Sequence, residues 1–196
     1  MADERFDQAI AAIDAANGDD PNTIDVDGVA RPKEQAHAEM MCEWVNRLDP
    51  DADELQLLAA RAHHLRRWAL PRSEYPEGRS GYLRWRTELK KRHAHEVGEI
   101  LADVGYRTEE IERVKQIIEK RGLKTDPAVQ THEDALCLVF LQTQLDDTAA
   151  KLGDDDKAVD VLRKTAQKMS PAGLDHAGRL EFSPAGAALV RRALGN

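Results

Sequence analysis

A chain of 196 residues, 33% charged, 41% hydrophobic and 5% aromatic, is long enough for one domain with a real core, or at most two small ones. The composition excludes collagen-like, low-complexity and disulfide-scaffold classes, and the formal net charge of −8 argues against broad binding to nucleic acid. The longest apolar run, Ala135 to Leu141, is too short to span a bilayer, and the acidic, polar start Met1-Ala2-Asp3-Glu4-Arg5 shows no signal peptide. Cys42 and Cys137 lie in apolar periodic stretches and read as reduced core thiols, so a cytoplasmic protein is expected.

The period is helical almost throughout. Phe6, Ile10 and Ile13 recur at three- and four-residue steps, and Asn17-Gly18 closes that first helix. Residues 18–31 are rich in Gly and Asp and predict a loop. A second helix begins near Pro32, carries Met40, Met41, Trp44, Val45 and Leu48, and stops before Asp49-Pro50. Asp51 or Asp53 caps a third, Glu54 to about Trp68. Pro71, Pro76 and Gly78 break residues 69–78. A long fourth helix, about Ser80 to Val104, ends at Gly105. Thr108 caps a fifth that runs to Gly122, with Glu109 and Glu110 favouring its dipole. Asp126-Pro127 opens a sixth to Leu152-Gly153. Asp154 to Asp156 cap a seventh that ends at Ser170-Pro171, and Ser183-Pro184 caps a last one to Leu194. No alternating strand pattern of any length and no Gly-rich phosphate loop is present. The expectation is an all-α bundle of seven or eight helices forming one domain over residues 1–196.

The charge is not evenly spread. Residues 61–95 hold ten Lys or Arg against three Glu, a local net charge of +7, which leaves −15 on the remainder. Four of the seven histidines and the aromatics Trp68, Tyr75, Tyr82 and Trp85 also fall in this window. Arginine dominates it, and its planar fork suits phosphate or carboxylate. A solvated basic face pairing with acidic helices elsewhere would give the same count.

Three imidazoles and a carboxylate fall on apolar helix faces. His37 shares its face with Met40, Met41 and Trp44; His63 and His64 come late in the third helix; Asp134 opens the stripe Leu138, Leu141, Leu145. Burying them without a shared partner is costly, and a divalent metal is the simplest such partner: Zn, Mn, Fe, Co or Ni, with no thiolate needed. Each could instead be a hydrogen-bonded core residue. His132 and His176 have polar neighbours and read as surface residues. Lys168-Met169-Ser170 echoes a signature of class I aminoacyl-tRNA synthetases, but no strand-and-glycine pattern can build their nucleotide-binding domain.

The order His37, then His63-His64, then Asp134 in Glu-Asp-Ala-Leu resembles the HD-domain superfamily of metal-dependent phosphohydrolases. That resemblance implies an all-α protein with His37, His63, His64 and Asp134 as metal ligands. Lys91 to Leu101 resembles the helix that carries an extra histidine in many members, with His93 as the match. Position 64 is His where the superfamily has Asp, which removes a bridging carboxylate and implies one metal rather than two. A closer resemblance, over nearly the whole chain, is to the family known as domain of unknown function 4202. It is carried by Ala62-His63-His64-Leu65-Arg66-Arg67-Trp68, Pro71-Arg72-Ser73-Glu74-Tyr75-Pro76, Gly81-Tyr82-Leu83-Arg84-Trp85-Arg86, Glu133-Asp134 with Cys137-Leu138-Val139-Phe140-Leu141, and Lys164-Thr165 with Lys168-Met169-Ser170.

Two functions are expected from these features. The first is a metal-dependent phosphohydrolase acting on a nucleotide or other small phosphate ester. Arg66, Arg67, Arg72, Arg79 and Arg86 would hold the substrate, His93 would be an auxiliary ligand or phosphate contact, and Glu133 a general base or a partner orienting a ligand histidine. The second is a non-catalytic protein on the same scaffold that binds a phosphorylated ligand, RNA or a protein partner through the Arg/aromatic segment 66–92. A metal-dependent oxygenase is a weaker third. A small phosphorylated molecule is the expected partner, nucleic acid is less favoured, and no membrane is implied.

Overall fold

Most helix ends follow from local capping. A computed structural model describes residues 2–195. In chain order it contains α1 (Ala2–Gly18), a hairpin of β1 (Thr23–Val26) and β2 (Val29–Pro32), α2 (Lys33–Leu48), α3 (Glu54–Arg61), α4 (Gly78–Asp103), α5 (Thr108–Ile118), α6 (Pro127–Thr143), α7 (Leu145–Leu152), α8 (Asp155–Ala166), α9 (Pro171–Ala177) and α10 (Pro184–Leu194). Asp53 accepts from the Gln56 N–H while the Gln56 side chain accepts from the Asp53 N–H, a reciprocal box at the start of α3. Asp126, Asp154, Ser170 and Ser183 cap α6, α8, α9 and α10 in the same side-chain-to-backbone manner. The fold is all-α, as expected, although it divides into more helices than seven or eight.

Four departures from the expected elements have local causes. The polar stretch after α1 is an antiparallel hairpin rather than a loop, with Val26 paired to Val29. Asp27 and Gly28 both take positive φ, 53° and 80°, the two-residue turn that suits a twisted hairpin. The third helix stops at Arg61, and the chain continues in tight turns through Ala62, His63 and His64. Arg66 is left-handed, φ 48°, and its N–H is held by the Asn17 side chain at 3.1 Å, a tertiary contact that overrides helix propensity. The expected sixth helix breaks at Gln144. Thr143 just before it donates back to the Val139 carbonyl at 2.7 Å, a contact that bends helices. Finally, Arg107 rather than Thr108 takes the cap position of α5, so that Glu110 accepts from the Arg107 N–H at 2.7 Å.

Two apolar cores meet along α3. Ile13, Leu58, Leu65, Val97, Leu101, Val114 and Ile117 join α1, α3, α4 and α5. Met41, Val45, Leu138, Val139, Val159, Leu162 and Leu189 join α2, α6, α8 and α10, with Ala60 of α3 among them. Each buried aliphatic side chain contributes about 1.5–3 kcal/mol, which is what holds a seam of polar groups between the cores. His63 and His64 leave the end of α3 in that seam. No helix among the described residues is long and apolar enough to cross a membrane.

Candidate metal centre and adjoining cationic notch

The first turn of α2 cannot cap itself, because Pro32 precedes it and offers no side-chain acceptor. Asp20 does so from across the hairpin: its Oδ2 accepts from the Glu34 N–H at 3.0 Å, and its Oδ1 accepts from the Asn22 N–H at 2.9 Å. This fixes Glu34. His37 is three residues on, on the same face, and both side chains are buried. The Thr143 hydroxyl spends its proton on Val139, so its Oγ1 accepts from His37 Nε2 at 3.3 Å. That assigns the tautomer: Nδ1 of His37 is a bare lone pair, and it faces Glu34 Oε2 at 3.7 Å.

His64 completes the group from the turns after α3. Its Nδ1 lies 3.1 Å from Glu34 Oε2, and Arg67 Nη1 lies 3.3 Å from its Nε2. A guanidinium only donates, so Nε2 accepts and Nδ1 carries the proton toward Glu34. Burial, with Arg67 beside it, pushes His64 down to about 4, although Glu34 opposes the shift. Burial alone would raise Glu34, but the charge and hydrogen bond of His64 and the charge of Arg67 hold it well below the usual carboxylate range. Glu34 is therefore an anion in a buried site.

One ligand atom from each of Glu34, His37 and His64 lies within 4.8 Å of the others, so the trio could hold a metal ion. The chemistry of the donors fits. The His37 lone pair and the Glu34 carboxylate are both acceptors and face each other, an arrangement a cation between them would relieve. Two imidazoles and one carboxylate also form a donor set of catalytic zinc and of open non-haem iron sites.

On the other side of His64, a notch of about 30 Å³ is lined by His63, His93, Arg67, Arg86, Lys90 and Lys120. Leu89 and Ile118 form its apolar wall. The His63 and His64 rings lie 4.2 Å apart, and the His64 and His93 rings 5.9 Å. His93 Nδ1 donates to the Leu65 carbonyl at 2.8 Å, which leaves its Nε2 as a lone pair. His63 Nδ1 and His132 Nε2 share a hydrogen bond of 2.8 Å. The Nε2 atoms of His63 and His93 are buried without a partner among the described residues. Burial first, and neighbouring charges second, push His93 and His132 down to about 3, so these rings are neutral near pH 7.

The structure sorts the expected site residues. His37 and His64 join the metal group; His63 faces the notch instead. Asp134 is not brought into the group: it accepts from the Ser170 N–H at 2.8 Å, from the Ser170 hydroxyl at 2.5 Å and from Gln130 Nε2 at 3.0 Å, and so anchors the start of α9. Glu133 is buried in an ion pair with Lys120, with Lys168 at 3.8 Å. Arg67, Arg86 and His93 converge on the notch, but the other arginines do not line it. Arg72 clips the carbonyls of Tyr75 and Pro76 at 2.8 Å each, Arg79 lines a separate broad surface groove, and Arg66 is exposed on its left-handed turn. His132, expected at the surface, is 1% exposed, because α6 is packed between α2, α3, α5 and α9. His176 is partly buried with its ring edge-on to Trp44 at 5.6 Å.

Sequence reasoning missed Glu34, Lys90 and Lys120. Glu34 had a signal: Glu-x-x-His places both groups on one helix face, as in carboxylate-bridged metal bundles. Lys90 shares a face of α4 with Arg86 and His93 by the same spacing. Lys120 had none, because its position depends on a turn with φ 59°.

The profile of a family described as Domain of unknown function (DUF4202) matches residues 7–190. The chain belongs to this family. DUF4202 thus spans both cores, the metal trio and the notch, and its description assigns no activity. Searches of curated proteins and of solved structures give no match.

Proposed function

We propose that this DUF4202 protein is a metal-dependent phosphohydrolase acting on a nucleotide or another small phosphate ester. The observation that carries the reading is the position of His64. One nitrogen of its ring turns to Glu34 and His37, and the other turns to Arg67 and the cationic notch. A divalent ion held by Glu34, His37 and His64 would supply hydroxide near neutral pH and positive charge beside a phosphoryl group. Thr143 orients the His37 ring, and Asp20 fixes the backbone that carries Glu34. Arg67, Arg86, Lys90 and Lys120 offer the cations that stabilise phosphoryl oxygens. Glu133 in this reading positions Lys120 and takes no proton. The resemblance to the HD-domain superfamily supports the same chemistry, with His64 in place of its Asp and Glu34 as the carboxylate. Zn, Mn, Fe, Co and Ni all suit the donors.

One observation favours the non-catalytic alternative. Glu133 and Asp134 are both engaged elsewhere, so Glu34 is the carboxylate left at the centre. The test is phosphate release from nucleoside mono-, di- and triphosphates and phosphosugars by protein loaded with Mn, Co or Zn. The hydrolase reading expects turnover in the wild type and its loss in Glu34→Gln. A metal-loaded protein that leaves the whole panel intact is a binding protein instead.

A further inference from the structure

We propose that the notch beside His64 is a receptor for the terminal phosphoryl group of a phosphate monoester, formed without help from any ion at Glu34. The inference rests on the phosphate-ester reading above and narrows it to monoesters. Four cations converge there: Arg67, Arg86, Lys90 and Lys120. Two carboxylates oppose them, Glu34 at 3.9 Å from Arg67 and Glu133 against Lys120. Two positive charges stay uncompensated, which is the charge a monoester dianion brings and a diester does not.

The donors are free to receive it. Among the described residues Arg86 and Lys90 make no ion pair; Arg86 reaches only the Tyr82 hydroxyl at 3.3 Å and Lys90 only the Glu119 carbonyl at 3.4 Å. The partnerless Nε2 atom of His63 belongs to a side chain more than nine-tenths buried that lines the notch, and it is a donor when His132 Nε2 supplies the proton of their shared hydrogen bond; His93 Nε2, a lone pair, is not among the donors. A buried polar atom left unpaired is uncommon and points to a missing partner. Lys120 is held at φ 59°, a costly conformation for a residue with a side chain, and its ammonium is nevertheless aimed at this buried site. The notch is small, about 30 Å³, so it takes the oxygens at the end of a ligand and not the ligand's body. Its lining includes the apolar Leu89 and Ile118, which offer nothing to the second ester oxygen of a diester.

The test is calorimetric titration of the metal-free, full-length chain in chelator with inorganic phosphate, a nucleoside monophosphate and a dinucleotide diester. Phosphate and the monophosphate should bind one per chain, with the diester at least about tenfold weaker. Arg86→Ala and Lys90→Ala, at partly exposed side chains, should each weaken phosphate by about tenfold while melting within a few degrees of the wild type. Lys120→Met should abolish binding; if it does not fold, the other two variants decide. Absence of phosphate binding, a diester bound as well as a monoester, or affinities unchanged in both Arg86→Ala and Lys90→Ala would overturn the receptor. Metal content of the same protein separates this from the hydrolase reading. Lost phosphate binding with metal uptake intact defeats the receptor alone, and a wild type that takes up no metal defeats the hydrolase and leaves the phosphate result standing.

Discussion

Arg67 donates to His64 Nε2 at 3.3 Å while lying across the face of Trp85, 4.8 Å from its ring centre. This contact is compatible with a proton on His64 Nδ1 and incompatible with a metal there, since a ring ligating through Nδ1 carries its proton on Nε2 and would meet the guanidinium donor to donor. Metal uptake must therefore turn Arg67 away from His64, and Trp85 reports it. Titration with Zn or Mn is expected to change tryptophan fluorescence, and Trp85→Phe and Arg67→Ala are each expected to remove most of that change. An equal change in both variants would mean that Arg67 does not guard His64.

Asp134 is expected to behave as a structural anchor. Its three accepted hydrogen bonds hold Ser170 and Gln130, and a side chain added at Gly173 would come within 2.7 Å of its carboxyl carbon. Asp134→Asn should cost about 1–3 kcal/mol and Gly173→Ala a similar amount through overpacking, read as shifts in urea midpoint. Neither should change metal stoichiometry. Loss of metal from a folded Asp134→Asn would restore Asp134 as a ligand.

Much of the fold was legible because capping and periodicity are local. Asp53, Asp126, Asp154, Ser170 and Ser183 announce their helices directly, and the two cores follow from apolar stripes. What was hidden depends on contacts between distant residues. Nothing near Arg61 breaks a helix, yet Asn17 from α1 holds the turn that re-aims His63 and His64. The polar flanks of His132 suggest an exposed face, but four helices cover it. At the candidate site, His37 and His64 were visible as polar residues on apolar stripes. Asp134 looked equivalent by that criterion, and only its hydrogen bonds to Ser170 tell it apart. Asp27-Gly28 between Val26 and Val29 was a readable hairpin signal.

The buried histidines set an acid limit on stability. His93 and His132 sit at about 3 in the folded protein, chiefly through burial, against about 6.5 when unfolded. Their folded values are lowered, so below pH 6.5 the unfolded chain binds more protons. Stability is then full above that pH and falls as pH drops toward 3, by up to about 1.4 kcal/mol per pH unit for each ring. Urea unfolding of metal-free protein between pH 7 and 5 should show this slope. His132→Gln, which keeps a polar partner for His63, should make it shallower by roughly one proton. An unchanged slope would show that His132 does not titrate in this way.

Lys120 and Glu133 are expected to matter to each other more than to the fold. Both are largely buried and ion-paired, and burial lowers Lys120 while Glu133 opposes that shift. Glu133→Gln leaves a buried ammonium unmatched and should cost about 3–5 kcal/mol. Lys120→Met with Glu133→Gln should recover much of that loss, which a double-mutant cycle would measure. Additive losses would show that the pair is not coupled.

The central claim is that Glu34, His37 and His64 hold a divalent metal. Its most direct test is metal content by mass spectrometry of untagged protein, exposed to Zn, Mn or Co and then freed of excess, for the wild type, His37→Ala and Asp134→Asn. The account predicts about one ion per chain in the wild type and in Asp134→Asn, and none in His37→Ala. A wild type that retains no metal, or a His37→Ala variant that retains it undiminished, would contradict it.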